Sequence, residues 1–525
     1  MSFTISPAQS VSLAQPALSH PRRWHALGAL CVGLLLIALD TTVLNVALPT
    51  LARQLRASTA ALQWIVDGYT LALGCMQLLG GAIADRVGRR RTLLFGLAAF
   101  AGASVLAAYA PSANVLILAR ILTGVGGAVI FPCTLASLLA LFPEPGERSR
   151  ALGLWSATLG LGVVVGPLLS GSLLSHYWFG SVFLLNVPIA VVAFAAVMLV
   201  LPETRTASAQ SRLDLLGAVL AIAAAGAILW GLIEAPNAGW LSTRVVVALA
   251  IGISIGVVFI WWERACQFPL FPVRIFRSRR FQLGTLSITV LFFGVYGFLF
   301  VLTQDLQLRL GYGALAAGVR MLPAGVLLIT AASAPAVAAR LGPRAVLALG
   351  LALVGAGLDV VALTSTGTGY LPAGAGLALV GLGMGLTMPT AEGVVLASVH
   401  PVDAGVGAGA NSTNLQLGGS LGVALIGSIV ITAYRHRLAD LHTIPSVALQ
   451  AARPSLYAAA ATTAHLPPAV QGSFFASATA GFSRGLHLAL LVGAIVCAEG
   501  AALVAGLPFY EPKHVRSAVS RVSGS

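Results

Sequence analysis

The sequence predicts an all-α polytopic membrane protein built from two related halves, and three observations carry that prediction. Only 9% of its 525 residues are charged and 58% are hydrophobic, whereas a soluble domain carries about 25% charged residues. Apolar stretches long enough to cross a bilayer recur along the whole chain. A basic turn after the second of them, Gly81 to Arg91, nearly returns half a chain later: Arg340-Leu-Gly342-Pro-Arg344 keeps the R-x-G-x-R spacing of Arg86-Val-Gly88-Arg-Arg90. Repetition of that kind marks internal duplication.

The net charge of +14 does not point to nucleic acid, because the arginines sit between apolar runs and not on one domain. There they set topology, basic loops staying cytoplasmic. Cys31, Cys75, Cys133, Cys266 and Cys497 lie in apolar segments with no paired spacing, which fits small core residues and neither disulfides nor zinc. The first 20 residues lack a basic stretch ahead of an apolar core, so residues 1–25 are expected to form a disordered cytoplasmic tail and not a signal peptide.

At about 20 residues per span the chain holds fourteen helices. Six are expected near 26–48, 61–82, 92–111, 113–134, 151–172 and 181–201, forming an N-terminal bundle over 26–201. A linker with two extra spans, near 213–234 and 244–262, occupies 202–281 and ends in a basic cytoplasmic loop with Arg264, Arg274, Arg277, Arg279 and Arg280. The C-terminal bundle covers 282–507, with spans near 282–303, 314–336, 345–364, 370–396, 406–433 and 484–507. Residues 434–483 are expected to be a long external loop and 508–525 a cytoplasmic tail. With both termini inside, the arginine bias has the sign the positive-inside rule requires, and an odd number of spans would place a basic cluster outside.

Polar residues inside spans are the candidates for mechanism. Asp40 lies in the first span, where a carboxylate costs about 2.5–3.5 kcal/mol unless it meets water, a proton or a partner. Arg120 in the fourth span, ahead of Gly124, Gly126 and Gly127, is placed at similar depth. A guanidinium keeps its charge but can lower the proton affinity of a neighbouring carboxylate. The two could couple protons to motion or could be static polar groups of a cavity. In the fifth span Gly162, Gly166 and Pro167 combine small-x-x-x-small spacing with a helix-bending proline, which suits a flexible contact between halves or plain tight packing.

These motifs together resemble the major facilitator superfamily and, within it, the fourteen-helix drug:proton antiporters. The resemblance rests on L-D-T-T-V-L-N-V-A-L-P at Leu39–Pro49, D-R-V-G-R-R at Asp85–Arg90, the Arg120–glycine pattern and G-V-V-V-G-P at Gly162–Pro167. Weaker agreement at Gln63–Tyr69, Phe183–Pro188, Glu147–Arg150 and Gly418–Ala424 extends it over nearly the whole chain. It implies two six-helix bundles with two helices inserted between them, alternating access, and proton entry driving export of an amphipathic compound. It also implies that Gly81, Asp85, Arg86, Gly88 and Arg89 form a charge latch at the cytoplasmic gate, and that the fifth-span motif accompanies antiport. Departures from the family pattern are Ala339 where an acid would match Asp85, Leu377 opposite Arg120, Phe179-Gly-Ser181, Leu415 and Asp305. They concentrate the expected chemistry in the N-terminal half.

Among the remaining acids, Glu392 is the deepest C-terminal candidate for a cationic substrate or second proton, or else a helix-end group reached by water. Asp67 is a further possible substrate or proton site, although its position also suits an interfacial group like Glu234 and Glu499. Asp305 and Arg309 are expected to form a local surface pair. No nucleotide-binding loop is present, and Lys513 is the chain's one lysine. No metal-ligand spacing or nucleophile–base pair occurs either, so neither a cofactor nor enzyme activity is expected. The expected product is a monomeric cell-membrane exporter of amphipathic drugs or antibiotics coupled to protons. The alternative is a dedicated exporter of one endogenous metabolite.

Overall fold

The computed structural model describes residues 22–204, 214–267, 269, 271, 273–363, 369–399, 404–441 and 444–507. Most of the expected 1–25 tail, residues 205–213 near the start of the linker and the 508–525 tail lie outside the described residues. In chain order the helices are α1 (Arg23–Gln54), α2 (Thr59–Val87), α3 (Arg89–Ala108), α4 (Ala113–Leu141), α5 (Pro145–His176), α6 (Gly180–Leu184), α7 (Asn186–Val200), α8 (Leu215–Ala238) and α9 (Thr243–Ala265). There follow α10 (Arg279–Gln304), α11 (Ala314–Arg320), α12 (Leu327–Leu341), α13 (Pro343–Ala362), α14 (Leu371–Ala397), α15 (Ala404–Ala439), α16 (Ser446–Ala452), α17 (Leu456–Thr463) and α18 (Pro468–Gly506). The described residues contain no strand.

Thirteen continuous or nearly continuous helical segments among the described residues are long and apolar enough to cross a membrane. α2, at 29 residues, matches them in length, and counted with them it would make fourteen. It is less apolar because Gln63, Asp67 and Gln77 are buried along it. Serines open several spans by accepting a backbone N–H in the first turn: Ser58 from Ala61 at 3.2 Å, Ser112 from Val115 at 3.4 Å and Ser242 from Val245 at 3.4 Å. The sixth span breaks at Leu185 into α6 and α7, because Pro188 has no N–H to return to Leu184. The tenth breaks around Pro323 and Gly325 into α11, a 3₁₀ turn and α12.

The expected loop over 434–483 is mostly helix. α15 runs on to Ala439, α18 begins at Pro468, and α16 and α17 occupy much of the interval. Alanine is the best helix former, and Pro468 sits in the first turn, where its missing N–H costs nothing. At 39 residues α18 is about 58 Å long, well beyond a bilayer core of about 30 Å.

Within the N-terminal half α1 packs on α5 and α7, and α4 packs on α2 and α3; within the C-terminal half α10 packs on α14, α15 and α18, and α13 on α14 and α18. The halves meet where α2 faces α15 and α5 faces α11. α8 and α9 pair with each other, and α8 covers the line where α2 meets α15. Their hairpin is pinned at its base by Asp214, which accepts from Gly217 N at 2.8 Å and from Trp262 Nε1 at 2.9 Å.

Candidate functional site

Asp40 and Arg120 meet. Arg120 Nη1 donates to Asp40 Oδ2 at 2.7 Å, and the two side chains are only 1% and 2% exposed. The pair is embedded in a network that satisfies both partners. Asn186 Nδ2 donates to Asp40 Oδ1 at 2.7 Å and to Ser104 Oγ at 3.3 Å. Arg120 Nε donates to the Ile65 carbonyl at 3.2 Å, and its guanidinium lies 4.2 Å from the centre of the Tyr69 ring, a cation–π contact. α1, α2, α3, α4 and α7 each contribute a group. Gly124 lets α4 approach this closely, since a Cβ there would stand 2.5 Å from the Tyr69 carbonyl. Charge balance with full hydrogen bonding is what a buried ion pair needs to persist.

The fifth-span glycines lie beside this network. Gly162 packs directly on Ala38, Gly166 faces Thr42, and Thr42 Oγ1 donates to the Gly162 carbonyl at 3.0 Å. Both α1 residues lie two positions from Asp40. On its other side α5 crosses to the second half: Gly318 rests on the Pro167 carbonyl, and a Cβ on Gly171 would stand 2.7 Å from the Ala314 carbonyl. One helix thus touches the carboxylate-bearing span and the opposite half within three turns. The halves are close at this end of α5, whereas Gly146 and Gly153, nearer the basic turn, meet nothing within 4 Å.

In the basic turn Arg89 pairs with Asp85 at 2.9 Å and donates to the Ala136 carbonyl on α4 at 3.0 Å. Gly88 adopts φ +121° as the single residue between α2 and α3, a conformation that glycine alone takes without strain. A Cβ there would also run into Glu203, 2.5 Å from Oε1. Glu203 accepts from Arg90 N at 3.1 Å and faces Arg91 at 3.8 Å. Arg86 is exposed. Gly81 has ordinary room, Pro132 lying 3.5 Å from a Cβ placed on it. In the second half Gly342 repeats the geometry, with φ +84° as the one residue between α12 and α13.

The other acids are redistributed. Asp67 is not interfacial: it is 0% exposed, between helices. Glu392 is half-buried, five residues before the end of α14 at Ala397, and does not meet the Asp40–Arg120 network. Asp305 and Arg309 do pair, but not at a surface. Asp305 is 0% and Arg309 10% exposed, with Nε–Oδ1 2.5 Å and Nη2–Oδ2 2.8 Å. They sit in a π-turn over Asp305–Arg309, from which Gln307 reaches the Val46 carbonyl of α1 at 3.0 Å. Spacing alone gives the pair but not its burial, which neighbouring α1 and α11 supply. Asn186, Ser104 and Tyr69 are the network members the sequence reading leaves without a role. The signal for Asn186 is a lone amide in an apolar span just before a proline.

A family model described as Major Facilitator Superfamily matches residues 30–423. The multidrug efflux pump LfrA of Mycolicibacterium smegmatis is 33% identical, covering 92% of this chain and 96% of its own. The puromycin resistance protein pur8 of Streptomyces alboniger is 37% identical over 84% of this chain and 88% of its own. Among solved structures, a bacterial homolog of the human lysosomal transporter Spinster, in an inward-facing and unoccupied conformation, superposes with a TM-score of 0.65 at 17% identity, covering 92% of this chain and 97% of that one.

Proposed function

The chain belongs to the Major Facilitator Superfamily, and from that premise we propose that it is a drug exporter driven by protons entering the cell, working by alternating access across the cytoplasmic membrane. The Asp40–Arg120 pair carries the reading. A carboxylate with a full set of partners is stable while charged, and protonation removes the attraction that holds Arg120 to α1. Arg120 then keeps its bonds to α2 while α1 is free to shift. Because Gly162 and Gly166 lie on the α1 residues flanking Asp40, such a shift passes directly to α5 and through Pro167 to α11. The basic turn faces the cytoplasm in this scheme, so both termini are inside. In this scheme the halves part towards the cytoplasm along α5, where Gly146 and Gly153 meet nothing within 4 Å, and Asp85, Arg86 and Arg89 act at the edge of the opening.

The similarity to a multidrug pump supports amphipathic drugs as the substrate class. A second reading, export of one compound such as a self-made antibiotic, is favoured by the similarity to a resistance protein named for puromycin alone. Everted vesicles test the coupling. Substrate uptake should collapse when the pH gradient is dissipated, and uptake that persists unchanged would remove proton coupling from the scheme. Expression in a sensitive host separates the two substrate readings: several unrelated resistances support the first, a single one the second.

A further inference from the structure

The line where α2 meets α15 is lined with polar groups, and their oxygens are short of donors. Gln63, Asp67, Thr70 and Gly74 are spaced i, i+4, i+7 and i+11 and fall on one face of α2. That face meets α15 throughout. Gln63 Nε2 donates to the Val423 and Ala424 carbonyls at 3.1 and 2.9 Å. The Thr70 and Ser420 hydroxyls are 2.6 Å apart, and Thr413 Oγ1 donates to the Gly74 carbonyl at 2.9 Å. Asp67 lies between these contacts, towards the neighbouring stripe of Leu71 and Cys75 that packs on Leu229 and Ile233 of α8. Both of its carboxylate oxygens are buried without a hydrogen-bond partner, as are Gln63 Oε1, Gln77 Oε1 and Gln416 Oε1.

A charged carboxylate with no donor in a dry interface costs several kcal/mol, whereas a neutral carboxyl carries its own donor and fits among acceptors. We propose that Asp67 is a proton-binding site built into the seam between the halves, separate from the Asp40–Arg120 pair, and that the seam closes only while Asp67 holds its proton. Opening the seam admits water and frees the proton. The inserted helix α8 then has a physical task, since it shields this row of acceptors from hydrocarbon; Ser428, bonded to the Leu232 carbonyl at 2.7 Å, ties it to the seam. Charged groups on the elements packed against α2 do not satisfy Asp67. Arg120 of α4 is engaged by Asp40 and the opposite face of α2, and the basic turn lies at the far end of α2 and α3. On α8 Glu234 accepts from Asn237 near the helix end, and α15 has no ionisable residue between Gly409 and Ser428.

The inference extends the proton-driven reading by a second proton-handling group, but its test needs no transport. Leu78 and Gly409 face each other at the seam, a Cβ on Gly409 standing 2.5 Å from Leu78 Cδ2. In the full-length chain with Cys75→Ala, Leu78→Cys and Gly409→Cys, disulfide yield reports closure. Measured at about pH 6 and about pH 8 and divided by the yield of the same protein carrying Asp67→Asn, it should fall with rising pH, by up to about tenfold per unit. The Asn variant holds the seam shut at both values. A ratio that stays flat, or an Asp67→Asn protein that cross-links less than its parent at the lower pH, overturns the proposal. Should the cysteine variant fail to fold, hydrogen exchange of the α2 amides, corrected for intrinsic rates, gives the same comparison between the unmodified chain and Asp67→Asn. Loss of export in Asp67→Asn with a pH-dependent seam in the parent supports the proposal, and export can fail for other reasons without touching the seam result.

Discussion

Thr42 Oγ1 donates to the carbonyl of Gly162 at 3.0 Å, so the span carrying Asp40 and the glycine motif of α5 are joined by a hydrogen bond as well as by contact. The joint leaves no space. A methyl group on Gly166 would clash with that same hydroxyl. Gly166→Ala should destabilise the α1–α5 contact by about 1–3 kcal/mol, the range for overpacking, and cut transport. Adding Thr42→Ala removes the obstructing oxygen and should restore part of the loss in a vesicle assay. If the double variant is worse than the single one, steric conflict at this joint is not the cause.

Breaking the buried ion pair from one side leaves the other charge stranded. Asp40→Asn and Arg120→Gln should each lower stability by about 3–5 kcal/mol and abolish pH-driven export. The double variant, with neither charge, should recover stability but not export. Thermal unfolding in detergent beside a vesicle transport assay separates the two effects.

The same logic applies to the π-turn. Asp305→Asn leaves Arg309, 10% exposed, without its carboxylate. The melting temperature should drop, and Arg309→Gln added to it should bring most of it back. A surface pair would give a change of at most about 1 kcal/mol in either variant, so the size of the first drop tests the burial.

Gly88 and Gly342 offer a matched comparison. Both have positive φ, but a side chain at Gly88 meets Glu203 while one at Gly342 meets nothing within 4 Å. Gly342→Ala should cost only backbone strain, about 1–3 kcal/mol, and Gly88→Ala should cost more. Truncating Glu203 to Ala should narrow the difference, as read by thermal unfolding of the three proteins.

The sequence showed Asp40, Arg120 and the repeated turn because a charge inside an apolar span, or a glycine between basic residues, is anomalous on its own terms. Long apolar helices are legible in the same way, since length and apolarity are local properties, although α2 falls short in apolarity. The burial of Asp67 and Asp305 is not legible in the sequence, because depth along a helix says nothing about which helices surround it, and α15, α8 and α1 close over them only in the fold. Polarity in the 434–483 segment weakens the span signal and suggests a loop, although alanine content favours helix whether or not the helix lies in a membrane.

The one-residue joints at Gly88 and Gly342 also limit how the molecule can rearrange. A connection of a single residue has no slack, so α2 cannot slide along α3, nor α12 along α13, without breaking the joint. Each pair must swing as a bent arm with a fixed elbow. Rearrangement therefore carries α2 with α3 and α12 with α13 as jointed pairs, each turning about a single glycine.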